Sequence, residues 1–181
     1  MTDTVINPAY LLRSYIWQLL KENTDMDESD YDGLVPIVPV AEEPELSKFT
    51  KPYAVYGYAL EASGDRAFAS RGSMTLAIYE TNFRQLTDIM NILYAAFERD
   101  EIAGEVNSYT TNFQPAGSLV NPFLGLRFGF IRMNFLEGGT PEETEGGRQS
   151  ALISLGFEYY TDYNIKTYRL LSEDPAVYGW A

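Results

Sequence analysis

The chain contains neither cysteine nor histidine in 181 residues. Without cysteine there are no disulfides and no thiolate metal sites. Without histidine the commonest general base, the imidazole metal ligand and every Ser-His or Cys-His relay are gone. Chemistry resting on Asp or Glu alone, as acid, base or Mg²⁺ ligand, stays open. Basic residues are scarce, 13 against 26 acidic, so the net charge is −13. Such a surface repels phosphate backbones, and no sequence-specific nucleic-acid binding is expected. The most basic stretch, around Lys48 and Lys51, follows Glu42, Glu43 and Glu45. No apolar run is long enough to span a bilayer, so no membrane partner is expected. The opening MTDTVINPAY lacks the basic and apolar regions of a signal peptide, which points to a cytoplasm-like compartment.

Apolar residues, by contrast, make up 45% of the chain, enough for a packed core. Fourteen tyrosines and 10 phenylalanines suit either an aromatic-rich β core or a protein interface. Neither an internal repeat nor a domain boundary is visible, so residues 1–181 read as one α+β domain. Its core runs from about 7 to 163, and a C-terminal tail from 164 to 181.

Asn7 and Pro8 are a good N-cap and first position for a helix. Leu11, Leu12, Tyr15, Ile16, Leu19 and Leu20 then form an apolar stripe that ends near Lys21–Asn23. Trp17 lies beside that stripe, as core or as an interface anchor. Thr24 to Gly33 is acidic and turn-rich, and reads as an exposed loop. The next segment carries Pro36, Pro39 and Pro44, so any strand there is short or at a sheet edge; otherwise it is an extended arm. Tyr53–Glu61 and Ser73–Glu80 alternate as strands, with Met74, Leu76 and Ile78 on one face. A helix starts at Thr81 or Asn82, with Phe83, Leu86, Met90, Leu93 and Phe97 as its stripe and Ile89, Ile92 and Ala96 widening it. Asp100 to Pro122 reads as a long connection holding one short strand near Val106–Thr110. Leu124–Leu136 is a strand with Ile131, Met133 and Phe135 facing opposite to Phe130 and Arg132. Ser150–Tyr160 is the last strand, with Ala151, Ile153, Leu155, Phe157 and Tyr159 on one face. The expected fold is α+β: a mainly antiparallel sheet with two helices packed on one face, long loops and a C-terminal tail.

The loop from Asp25 to Asp32 has acids at alternating positions but lacks the central Gly and closing Glu of a calcium-binding loop. Glu142, Glu143 and Glu145 lie between glycine pairs, where nothing holds or desolvates a catalytic carboxylate pair. A projecting hairpin tip used for contact fits better. No Gly-rich piece is followed by Gly-Lys-Ser/Thr, so there is no phosphate loop. The expectation is a non-enzyme with no catalytic residue, no cofactor and no metal. Trp180, near the chain end, is either frayed or docked on a neighbour together with Tyr178.

The layout resembles that of the tail-terminator, or tail-completion, proteins of tailed bacteriophages. An amphipathic helix (PAYLLRSYIWQLLKE) precedes a Pro-rich crossing segment (LVPIVPVAEEPELSKFTKPYAVYGY). A strand then runs into a second helix (SMTLAIYETNFRQLTDIMNILYAAF), and two late strands (LGLRFGFIRMNFL and ALISLGFEYY) close the sheet. The resemblance covers residues 7 to 163 and rests on element order, with no signature string; the acidic loops and the tail depart from shorter members. It implies a virion protein, assembled in the host cytoplasm, that forms a ring, usually of six copies. The ring would cap the tail tube and join it to a neck or head-closure protein, and to a sheath where the tail contracts. DNA would pass through the ring without specific contact. Arms and loops that reach a neighbour suit such a ring, which makes Pro36, Pro39, Glu142, Glu143, Glu145, Tyr178 and Trp180 the candidate subunit-interface residues. The alternatives are another neck connector, a tail tube subunit, a small monomeric binding module, or a Mg²⁺- and carboxylate-dependent enzyme.

Overall fold

The computed structural model describes residues 8–42, 48–61, 70–112, 128–144 and 147–161. Helix α1 spans Pro8–Asn23, α2 Phe83–Phe97 and α3 Ile102–Asn112. The strands are β1 Ile37–Pro39, β2 Tyr53–Glu61, β3 Ser70–Glu80, β4 Phe128–Gly138, β5 Glu142–Glu143 and β6 Gln149–Thr161. They form one six-stranded sheet in the order β1-β2-β3-β6-β4, with β5 also on β6. Every pairing is antiparallel except β1 with β2. The fold is α+β, as the alternation of helical and strand periods implies.

The core grows from matched strand faces. Met74, Leu76 and Ile78 of β3 lie opposite Leu155, Ile153 and Ala151 of β6, and all six are buried. Tyr56 and Ala54 of β2 continue the row on one side. On the helix side, Leu86, Ile89, Leu93, Ala96 and Phe97 of α2 are buried, as are Leu11, Leu12, Tyr15, Ile16, Trp17 and Leu20 of α1. These residues belong to one contiguous apolar cluster. Burying a side chain of this size contributes about 1.5–3 kcal/mol. Trp17 is therefore core, and its indole N–H donates to Glu28 Oε1 at 3.0 Å.

Four expectations are corrected. The helical layer has a third helix, α3, where a connection with a short strand near Val106–Thr110 was expected. Ile102, Ala103 and Val106 share one turn-spaced face and are buried, with Tyr109 packed against the core. The α2 stripe begins at Leu86, because Phe83 is 54% exposed just after the Asn82 cap. Strand β4 is not a simple alternation. A register shift between Phe130 and Arg132 inserts one residue, so Phe130 and Met133 share the buried face and Ile131 is 51% exposed.

The acidic segment 24–33 is also more than an exposed loop. Glu28–Tyr31 is a 3₁₀ turn capped by Asp27 in a capping box with Asp30. Tyr31 is fully buried and Met26 nearly so. Tyr31 packs edge-on against Trp17 and Phe49, and its hydroxyl donates to the Pro52 carbonyl. The acids around it face outward, so one aromatic anchors an otherwise polar turn.

Candidate interaction surface

The sheet has two unlike edges. On one side, β1 registers only with Ala54, Val55 and Tyr56 of β2. Its Pro36 is buried, and the Pro36 carbonyl accepts from the Ala54 N–H at 2.8 Å. Proline gives up no ladder hydrogen bond here because its carbonyl alone is used. Pro39, half-buried, ends the strand. The Pro-rich segment is thus a short edge strand, one of the two readings of the sequence. Beyond it, Gly57 to Glu61 of β2 have no strand on their outer side among the described residues, and all five are exposed. Tyr58 and Leu60 stand out at 49% and 43% exposure. Leu60 reaches over Gly72 of β3, where any Cβ would come within 2.9 Å of it and within 2.5 Å of the Phe157 ring. Glycine at 72 therefore lets the two side chains close over the backbone.

On the other side, β4 forms the edge. Its first turn of chain is held by α3: the Asn107 side-chain amide donates to the Phe130 carbonyl at 2.8 Å and accepts from the Phe130 N–H at 2.7 Å. A carboxamide there does what a neighbouring strand would do. From Ile131 on, the strand is mostly exposed, and Leu136 reaches 55%. Leu136 lies across Gly156 of β6, whose missing side chain leaves room for it. Leu152 adds a further exposed aliphatic on the face away from the helices.

The charged groups that are fixed serve the fold. Glu28 Oε1 also accepts from Lys21 Nζ at 2.7 Å. Lys21 first, and then Trp17, hold the Glu28 carboxyl below its usual range. Asp27 is lowered by the Ser29 N–H that it caps. Lys51 lies 3.6 Å from Asp30. The carboxylates Asp27, Glu28 and Asp30 thus already have protein partners, and among the described residues no group of three or more Asp or Glu is placed to hold a metal. Tyr15 is pushed up to about 12, by burial first and then by Glu105, which accepts its hydroxyl at 3.1 Å. Glu80 is 3% exposed; its Oε1 accepts from the N–H groups of Thr81 and Asn82 and from the Thr81 hydroxyl, tying the end of β3 to the start of α2. A cavity of about 10 Å³ lies between α1, α2 and the sheet, lined by Ile16, Leu20, Ile78, Leu93 and other apolar groups. A void that small and apolar stays dry. Among the described residues no helix is long and apolar enough to cross a membrane.

Of the residues singled out from sequence, Pro36 and Pro39 sit at the β1 edge. Glu142 and Glu143 form β5, exposed and paired with Ser150 and Gln149 across β6 from β3. The fold therefore does not bring the two groups together. Glu145, Tyr178 and Trp180 lie outside the described residues. The exposed apolar residues of β2 and β4 were missed as candidates. Alternation puts Tyr58 and Leu60 on one face of β2 with Ala54 and Tyr56, but Ala54 and Tyr56 are buried while Tyr58 and Leu60, beyond the residues that β1 pairs, are exposed.

The chain matches no protein-family model and no curated protein. Among solved structures, a chain from the virion of a native gene transfer agent particle superposes with a TM-score of 0.41 at 10% identity. The match covers 86% of this chain and 99% of that one. Nothing about function is drawn from a likeness of that size.

Proposed function

We propose that the protein is a non-enzymatic virion subunit, a tail terminator whose copies form a ring that caps the tail tube and joins it to the neck. One observation carries this reading. Exposed apolar side chains sit on strands at both open edges of the sheet, Tyr58 and Leu60 on β2 and Ile131 and Leu136 on β4. Strand edges left uncovered with apolar neighbours are contact surfaces for other chains. Unlike edges favour head-to-tail contact, which gives a ring where the rotation between copies closes. The element order from α1 to β6, an amphipathic helix, a proline-rich edge segment, a strand feeding a second helix and two late strands, agrees with the tail-terminator layout. The lack of histidine and cysteine agrees with a role in contact and not in bond-breaking. In the same reading, residues 1–181 act as one unit, and Pro36, Pro39, Glu142, Glu143, Glu145, Tyr178 and Trp180 flank the contacts between copies. The partners are other copies, six to a ring, the tail tube protein and a head-closure protein.

The test is assembly. Particles made without this chain should carry tails of uncontrolled length, and the purified protein should bind tubes at one end only. Tails of normal length in its absence, or binding along the whole tube, would remove the terminator role.

A further inference from the structure

Across the sheet face turned away from the helices, one row of charged residues runs in register from edge to edge. Glu61 of β2 lies opposite Arg71 of β3, Arg71 opposite Glu158 of β6, and Glu158 opposite Arg132 of β4. The signs alternate, and the central pair is closed, with Arg71 Nε 2.9 Å from Glu158 Oε1. The two ends are unlike: a carboxylate at the β2 edge and a guanidinium at the β4 edge. Both end residues are exposed, and among the described residues neither has an ion-pair partner.

We infer that β4 of one copy adds to the free Gly57–Glu61 edge of β2 in the next, with Arg132 of the incoming strand opposite Glu61. The occupant is a second copy of this chain because the ladder's two ends complement each other. Opposite charges placed across a strand pair stabilise it, and like charges destabilise it. Two β2 edges brought together over Gly57–Glu61 would set each Glu61 opposite Gly57, with no opposite charge across the pair, so the charge pattern favours a head-to-tail contact.

Strand direction agrees. Because β2, β3, β6 and β4 alternate in direction, β4 runs opposite to β2. A copy set beside the first in the same orientation therefore brings its β4 antiparallel to β2, with the helices of both copies on the same side. Fixing Glu61 opposite Arg132 places Leu60 opposite Met133, Ala59 opposite Asn134 and Tyr58 opposite Phe135. Tyr58 and Leu60 then continue the row that already holds Met133 and Phe135 on the helix side.

The ends of the contact are marked as well. Asn107 occupies the backbone groups of Phe130, so pairing starts after that residue. At the other end the β2 edge is taken by β1, whose last residue Pro39 lies opposite Tyr56, and the second register shift of β4, between Phe135 and Glu137, turns the strand at that point.

This contact rests on the reading of the chain as a self-associating ring subunit, and the test separates the two. The chain has no cysteine, so Glu61→Cys and Arg132→Cys can be placed together in one full-length protein. Within one copy these positions are three strand spacings apart, about 14 Å. A disulfide needs Cα atoms within about 7 Å, so only neighbouring copies can be joined. Oxidation should give a ladder of dimers, trimers and higher multiples that collapses on reduction, while either single cysteine gives nothing beyond a dimer. Sedimentation of the unmodified chain is measured alongside. Self-association without a ladder overturns this contact and leaves the ring reading standing. A monomer with no ladder overturns both. A ladder from a protein that never binds tail tubes keeps the contact and removes the terminator role.

Discussion

Tyr31 shows how much one side chain can carry in an acidic segment. It has no exposed surface, makes edge contacts to Trp17 and Phe49, and donates to Pro52. Removing the ring should cost about 3–5 kcal/mol, the range for buried aromatics. Tyr31→Phe keeps the ring and leaves the Pro52 carbonyl unpaired, at about 1–3 kcal/mol. Urea midpoints of the two variants measure both, and equal losses would mean that the hydroxyl, not the ring, dominates. Tyr15 supplies a pH test. Its folded pKa of about 12 lies above the ordinary phenol value near 10, so the unfolded chain gives up this proton first. The stabilising effect is complete below about pH 10 and is lost as the pH rises toward about 12. Tyr15→Phe should therefore flatten the fall in urea midpoint between neutral pH and about pH 11. An unchanged fall would place the alkaline loss on other groups.

At the scale of elements, period and position diverge where one residue is inserted or one end is uncovered. The strands β3 and β6 and the stripes of α1 and α2 were legible because alternation and helical spacing run through buried residues. The insertion at Ile131 left no mark, since both faces of β4 are apolar enough to look regular on either side of it. Helix α3 was hidden by Gly104 and by β-branched Val106 and Thr110, which weaken helix propensity; burial of Ile102, Ala103 and Val106 outweighs it. The edge residues Tyr58 and Leu60 were invisible as surface because alternation gives a residue's face and not what covers it, a tertiary fact. Asn107 gives the element-scale prediction. Its amide is the link from α3 to β4, so Asn107→Ala removes both side-chain hydrogen bonds to the backbone of buried Phe130. The expected cost is about 1–3 kcal/mol, with faster hydrogen exchange at Phe130 and little change in α2. Exchange accelerated equally across α2 would show that the variant loosens the whole helical layer.

The whole molecule sets two electrostatic effects against each other. Each copy carries a net charge of −13, so bringing copies together costs long-range repulsion. The Glu61–Arg132 contact attracts, but an exposed ion pair contributes only about 0.2–1 kcal/mol. Backbone pairing and the apolar row of Tyr58, Leu60, Met133 and Phe135 respond little to salt. Raising ionic strength from about 10 mM to about 150 mM shortens the screening length from about 30 Å to about 8 Å, which weakens the repulsion between copies across most of their facing surfaces. The short-range pair loses less, because its partners meet within one screening length. Self-association should therefore strengthen with salt, read as a shift of sedimentation boundaries toward larger species at fixed protein concentration. Weakening over the same range would mean that attraction between charged rows, not strand addition and apolar contact, holds the copies together, and that the repulsion of the acidic surface is directed away from the interface.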